Sequence, residues 1–598
     1  MGFADDIIAL RRGLTRIALD HDERPPGESR DDLLQRAVAA EKEASRLRSP
    51  ELVAVTLLQH AELLLAVDRV RDAISVIEKV RKVLGELRKA DLQVRALGYL
   101  ADAHGRLADW KSVSAVCDEG IALVEAYRYK LSADYLASAY LRSRIGLYSW
   151  AVRAAYELGQ YERAIERAEL SKCGVITSKS PQSRRAPSPE DAGRQREFRD
   201  LCRQIAEYPV GTVPEHLVAR RALLWDLMNI GSRPSKFFEL EAVQALLRSD
   251  EAIIFYYWVD PYSLMIATIA RDAFGVELRP ISAEQREMLE AYALNALKRG
   301  RPNLSAFAPV SEFGSFLLPG VSTVAWHKKE RLIISPHRVL HSIPFHATRY
   351  ENQWLIERVA ISYTPNLRCL QRSYRASKPQ RVLVVGIEHF AVPGKPLRPL
   401  PLAQLEAREV EQIYNAHRVP VTLLPEAEAT AERLRKLERD GVLKGYSCLH
   451  FATHCENADD NSPMEAHFFM RNSMFDGLEL ANLQLEAETI VLSACWSGQR
   501  PIRGRGLKEL PGDDLFGLQA AFFRAGARRV LASLWMAEDF AARQITTGFH
   551  ARLAADKTCH VEVALQASVR DYLSQADIHT RKIYFWAPFF LSVFGRPE

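Results

Sequence analysis

The 598-residue chain balances 80 Lys and Arg against 75 Asp and Glu, for a net charge of +5, and is 47% apolar and 26% charged. At roughly 100–200 residues per domain, that length implies about three folding units of ordinary globular composition. Eight cysteines, at 117, 173, 202, 369, 448, 455, 495 and 559, are too scattered for a disulfide framework, which points to free thiols in a reducing cytoplasm.

Asp5 and Asp6 precede the first basic residues, so the start lacks the basic-then-apolar pattern of an export signal. No apolar run is long enough to span a bilayer. Residues 31–172 are poor in Gly and Pro and carry apolar residues at helical spacing. Three stretches there look alike, converging on Val70, Trp110 and Tyr161. The clearest, Ala154-Ala155-Tyr156-Glu157-Leu158-Gly159-Gln160-Tyr161, resembles a degenerate tetratricopeptide (TPR) hairpin. Their offsets are longer and less regular than that repeat's ~34 residues, and an unrelated helical bundle fits the same stripes. Residues 178–192 shift to Lys, Pro, Ser and Arg, and read as an exposed loop in which proline breaks any helix.

From 251 onward strands and helices alternate, the sequence form of a mostly parallel α/β sheet. A first unit has strands at 252–259, 264–270, 331–335 and 359–363 and a helix at 283–297. A second has strands at 381–386, 420–424, 447–453, 489–494, 529–534 and 585–594. Its helices fall at 403–415, 431–439, 515–525, 540–554 and 561–574. In such sheets the working groups sit at the carboxyl ends of strands. Two successive strands end at reactive residues: Leu449-His450-Phe451-Ala452-Thr453-His454 and Val491-Leu492-Ser493-Ala494-Cys495-Trp496. His454 and Cys495 are thus expected side by side, and a neighbouring imidazole can take the proton of a thiol that is mostly protonated at neutral pH. A hairpin-like turn is expected at Phe475-Asp476-Gly477-Leu478.

The motifs His450-Phe451-Ala452-Thr453-His454 and Ser493-Ala494-Cys495-Trp496-Ser497-Gly498 resemble those of the CHAT domain, a caspase-like, separase-related family. So do the run from Gly512 through Trp535 and the segment from Leu332 to Phe345. The resemblance covers roughly 247–595. It implies an all-α, TPR-like domain at 1–175 and a loop and helical connector at 176–246. A non-catalytic caspase-like half follows at 247–377 and a catalytic half at 378–598. It also implies a thiol endopeptidase with Cys495 as nucleophile and His454 as base, needing no cofactor or metal. Such a protease would act on a protein substrate as a bacterial signalling or defence effector, with a regulatory protein partner at the repeats. The alternative is a scaffold of the same fold without activity.

Where the family has Gly after the catalytic His, this chain has Cys455. The oxyanion hole would be the backbone N–H groups of Cys455 and Cys495, donors worth on the order of 3 kcal/mol each. If that position required φ > 0, a Cys there would be strained. Asp513 and Asp514 are candidates for a pocket selecting Lys or Arg, although Asp also caps helices well. Trp535 is a candidate floor of the cleft or a core residue. His450 reads as a core histidine, and a zinc site built from Cys448, His450, His454 and Cys455 lacks the usual ligand spacing. The basic stretch Arg500, Arg503, Arg505 and Lys508 is a loop with no aromatic interleaving, so nucleic acid is not the expected partner.

Overall fold

The computed structural model describes residues 3–23, 29–85, 87, 89–128, 140–141, 144–172, 189–209, 212–228, 238–296, 304–320, 324–374, 380–456, 466–498 and 517–597. Among these, residues up to Ser171 form one compact unit and those from Lys172 onward a second.

The first unit is all helical. After α1 (Phe3–Glu23) and α2 (Asp31–Arg46), three antiparallel pairs follow: α3 (Pro50–Ala66) with α4 (Val70–Gly85), α5 (Ala90–Arg106) with α6 (Trp110–Arg128), and α7 (Ile145–Glu157) with α8 (Tyr161–Ser171). Val70, Trp110 and Tyr161, the positions that look equivalent in the sequence, each open the second helix of a pair. The turns before them are built alike. Asp68, Ala108 and Gly159 all adopt positive φ. The next residue's N–H bonds back five positions, Arg69 to Leu64, Asp109 to His104 and Gln160 to Ala155, at 2.8–3.0 Å, the closing bond of a Schellman cap. A repeated helical hairpin is therefore a property of the backbone, not only of the Ala/Leu stripes. Close helix approach needs small residues: a Cβ on Gly105 would lie 2.2 Å from the Trp150 ring.

The second unit begins with α9 (Pro189–Glu207) and α10 (Glu215–Met228). The loop expected over 178–192 is corrected at its end: Pro189 opens a helix, because a first-turn residue has no intrahelical N–H bond to lose. Residues 173–188 lie outside the described part. Next come β1 (Glu251–Asp260), β2 (Ser263–Ile269), β3 (Phe274–Pro280), α11 (Ala283–Ala296), β4 (Arg331–Ser335) and β5 (Ala360–Tyr363). The following stretch holds β6 (Val382–Gly386), α12 (Pro401–Ala416), β7 (Val421–Leu423), α13 (Ala431–Arg439), β8 (Cys448–Ala452) and β9 (Cys455–Glu456). Beyond them lie β10 (His467–Met470), β11 (Ser473–Asp476), α14 (Gly477–Ala481), β12 (Thr489–Ser493) and α15 (Leu518–Ala525). The unit ends with β13 (Arg529–Ser533), α16 (Asp539–Ala555), α17 (Val561–Gln575) and β14 (Phe589–Val593).

Both halves expected from the sequence contribute to one 11-stranded sheet of order β7-β6-β8-β12-β13-β14-β5-β4-β1-β2-β3. Within it β7, β6, β8, β12 and β13 run parallel. β14 is antiparallel to β13 and parallel to β5, so it is the seam. β2 and β3 add an antiparallel edge. Both faces of β8 are covered. His450 points to α12 and α16, where it meets Glu406 and His550, and Phe451 points to Phe522 of α15 on the other side. The expected turn at 475–478 is corrected. Phe475 and Asp476 end β11, Asp476 caps α14 through the Glu479 N–H at 2.9 Å, and the hairpin turns at Arg471-Asn472.

Candidate active site

The parallel register places Ala452 of β8 opposite Ser493 of β12. One residue further, the Thr453 N–H donates to Ser493 O at 3.3 Å. His454 and Cys495 thus leave neighbouring strands at the same rim. Asp539, the first residue of α16, lies within electrostatic reach of both.

His454 is held from three directions. Its Nε2 donates to Arg398 O at 2.8 Å, which leaves Nδ1 of the neutral ring as the proton acceptor. Phe390 packs on the ring at 5.0 Å between centroids. Its own carbonyl accepts from Phe469 N–H at 2.8 Å, anchoring it to β10. The loop that supplies Arg398 and Phe390 is fastened by Lys395, whose ammonium sits 2.7 Å from Glu456 of β9. Hydrogen bonding to His467, then to Lys395, holds the Glu456 carboxyl down at about 2.

Cys495 sits on a sharp turn. Trp496 has φ 52, a conformation costing an aromatic residue on the order of 1–3 kcal/mol. Backbone bonds from Trp496 to Trp535 O (3.3 Å) and from Gly498 to Ser533 O (2.8 Å) hold it there. The Cys495 Sγ lies 3.9 Å from Ala537 O. Burial pushes the thiol up to about 11, partly offset by backbone hydrogen bonding at Ala537 and reinforced by the Asp539 carboxylate. At neutral pH the Cys495 side chain is therefore a thiol, not a thiolate.

Cys455 is not among the positive-φ residues, so the feared strain is absent. It pairs with Phe468, and the Phe469-to-His454 bond makes that pair a non-hydrogen-bonded one. The Cys455 N–H consequently points away from β10, as an oxyanion donor must. The Cys455 side chain is buried, and burial together with nearby Cys495 pushes its thiol well above the ordinary range.

Other candidates fare differently. Asp513 and Asp514 lie outside the described residues. Trp535 is 1% exposed, donates from Nε1 to Tyr584 O at 3.0 Å and packs on Phe307. Its ring is core, not cleft floor, and it serves the site through its backbone carbonyl. His450 is fully buried, with Nδ1 3.1 Å from His550 Nε2 and Nε2 3.3 Å from Glu406 Oε1. Its ring nitrogens are thus engaged away from Cys455. Among the described residues no cluster of three or more His, Cys, Asp or Glu is disposed to hold a metal, and no helix is long and apolar enough to cross a membrane. Sequence reasoning missed Arg398, Phe390, Ala537 and Asp539. Only Asp539 carried a signal, since Glu538-Asp539 follow the run 529–535 much as His454 and Cys495 follow theirs.

The family model for the CHAT domain matches residues 312–594. That match covers just under half of the chain. The CHAT match begins after β1–β3, which nevertheless belong to the same sheet as β8 and β12. Two crystal structures of the Saccharomyces cerevisiae separase–securin complex, at 2.6 and 3.0 Å, are also similar. Each is 9% identical; TM-scores are 0.36 and 0.33, covering 95% and 94% of this chain. They leave the other chain 52% covered, so the present chain spans about half its length. No curated protein matches the chain.

Proposed function

We propose that the chain is a cysteine endopeptidase of the caspase-like kind, acting in the cytoplasm on a protein substrate. What supports this reading is that His454 and Cys495 follow the ends of two adjacent parallel strands, with one imidazole nitrogen tied to a backbone carbonyl. His454 Nδ1 takes the Cys495 proton as sulfur attacks the scissile carbonyl. The outward N–H of Cys455 and that of Cys495 hold the oxyanion, and the imidazolium then protonates the leaving amine. Water releases the acyl group from the thioester. Asp539 adds a carboxylate at the mouth of the cleft, which, with Asp513 and Asp514, favours a basic residue at the leading position of the substrate.

The TPR-like hairpins of the first unit are read as the docking site of a regulatory protein partner that raises the rate, as in a bacterial signalling or defence effector. A thiol pushed up to about 11 supports such control, because little thiolate is present at rest.

The test uses peptidyl acyloxymethyl-ketone probes with Arg, Asp or Leu at the leading position, followed by peptide mapping. Labelling at Cys495 that falls by about 100-fold or more in His454→Ala, as loss of a general base should cause, is the expected result. Labelling that is absent or indifferent to His454 overturns the enzyme and leaves the scaffold.

A further inference from the structure

Beneath the rim lies a buried polar cluster that the proposed chemistry does not use. Its centre is Glu406 of α12, a carboxylate only 3% exposed. Oε2 accepts from Ser493 Oγ at 3.1 Å, and Oε1 accepts from Thr546 Oγ1 of α16 at 2.6 Å. The same Oε1 lies 3.3 Å from His450 Nε2, at ion-pair distance though off the line of a good hydrogen bond. His450 Nδ1 is 3.1 Å from His550 Nε2, and His550 Nδ1 is 3.0 Å from Tyr414 OH. His450 and His550 are fully buried.

One proton arrangement satisfies the chain: Tyr414 O–H donates to His550 Nδ1, His550 Nε2–H to His450 Nδ1, and His450 Nε2–H faces Glu406. Burial holds His550 well below its ordinary range, consistent with a neutral ring. A buried carboxylate is costly unless its lone pairs are occupied, and here the occupants come from chosen places. Ser493 stands two residues before Cys495 on β12, and His450 four before His454 on β8. Thr546 belongs to the helix that Asp539 opens. One anion therefore grips the two strands that carry the dyad and the helix beside them.

We infer that Glu406 is a positioning residue: its carboxylate, holding Ser493 and facing His450, fixes the offset between β12 and β8 that brings Cys495 within reach of His454. The inference rests on the endopeptidase reading above.

A double-mutant comparison tests it on the full chain. Peptidyl-ketone labelling of Cys495 is measured per folded molecule, by near-ultraviolet circular dichroism, in four proteins: unsubstituted, His454→Ala, Glu406→Ala and the double variant. The expected result is a His454 effect of about 100-fold in the unsubstituted chain that shrinks to roughly onefold in the Glu406→Ala background, as coupled residues require. Glu406→Gln, which keeps the shape and one acceptor oxygen, restores part of the effect. Should Glu406→Ala not fold, Ser493→Ala replaces it, with the same expectation in weaker form. A full His454 effect surviving in these backgrounds makes Glu406 merely structural and overturns the inference alone. No His454 effect in the unsubstituted chain overturns the endopeptidase reading, and the inference with it.

Discussion

Replacing Arg221 by Ala tests how the connector helices bear on the site. Arg221 of α10 pairs with Asp476 at the end of β11, with side chains only 6% and 18% exposed. Beside them Arg435 makes a two-point contact with Glu479 at 2.6 and 3.0 Å. Burial raises the Glu479 carboxyl, against the pull of Arg435. Removing Arg221 leaves two carboxylates facing one guanidinium in a largely buried site. Breaking a buried pair costs about 3–5 kcal/mol, and the partial exposure of Asp476 argues for the lower end. A multidomain chain has no single unfolding free energy, so the suitable measure is hydrogen exchange of peptides spanning 466–481. A loss of about 3 kcal/mol in local opening speeds their exchange roughly 150-fold. Asp476→Asn keeps an oxygen to cap the Glu479 N–H, and so separates the lost ion pair from the lost cap. The double variant Arg221→Ala/Asp476→Ala should cost less than the two single changes added together. Exchange within threefold of the unsubstituted chain in Arg221→Ala refutes the reasoning, for the pair would then be a solvent-screened one.

Three further outcomes follow from the same physics. With a small alkylating agent and no ligand, labelling of Cys495 rises about tenfold per pH unit between pH 7 and 10, since the thiol is pushed up to about 11; a plateau from pH 6 to 8 in mapped peptides indicates a preformed ion pair instead. His346 is buried with its nitrogens 2.9 Å from Tyr363 OH and 3.1 Å from Ala587 O, and burial takes it from 6.5 to about 4. Its stabilising effect is complete above pH 6.5, declines below that as the unfolded chain takes the proton, and is gone past about 4, a loss of about 3 kcal/mol. Scanning calorimetry across that window should show a steeper fall for the unsubstituted chain than for His346→Gln. Gly386→Ala would put a Cβ 2.5 Å from Ala403 O, displacing α12 and with it Glu406. Probe labelling of Cys495 drops about tenfold or more, a displacement of the supporting shell being that costly.

The strands around the site were legible because buried parallel strands read as apolar runs. The segment 331–335 and the helix 431–439 appear with the expected bounds. β3 escaped because Phe274-Gly275-Val276-Glu277 is a half-buried edge with mixed polarity and no clean alternation. The strand expected at 585–594 is shortened at its start, Ile583–Trp586 being a helical turn that brings Tyr584 and Trp586 into the core. His454 and Cys495 could be read because the proposed chemistry calls for their side chains. Arg398 and Ala537 could not, because they act through carbonyls that every residue possesses. Glu406 looks in the sequence like one more helix glutamate, and only the packing of α12 against two strands turns it inward.

The place of β14 between β13 and β5 has a consequence for proteolysis. A cut anywhere in 499–516 would separate β12 from β13 in sequence, yet the two pieces would stay laced together by neighbouring ladders. Nicked protein should migrate as two bands in denaturing gels and as one species in native ones.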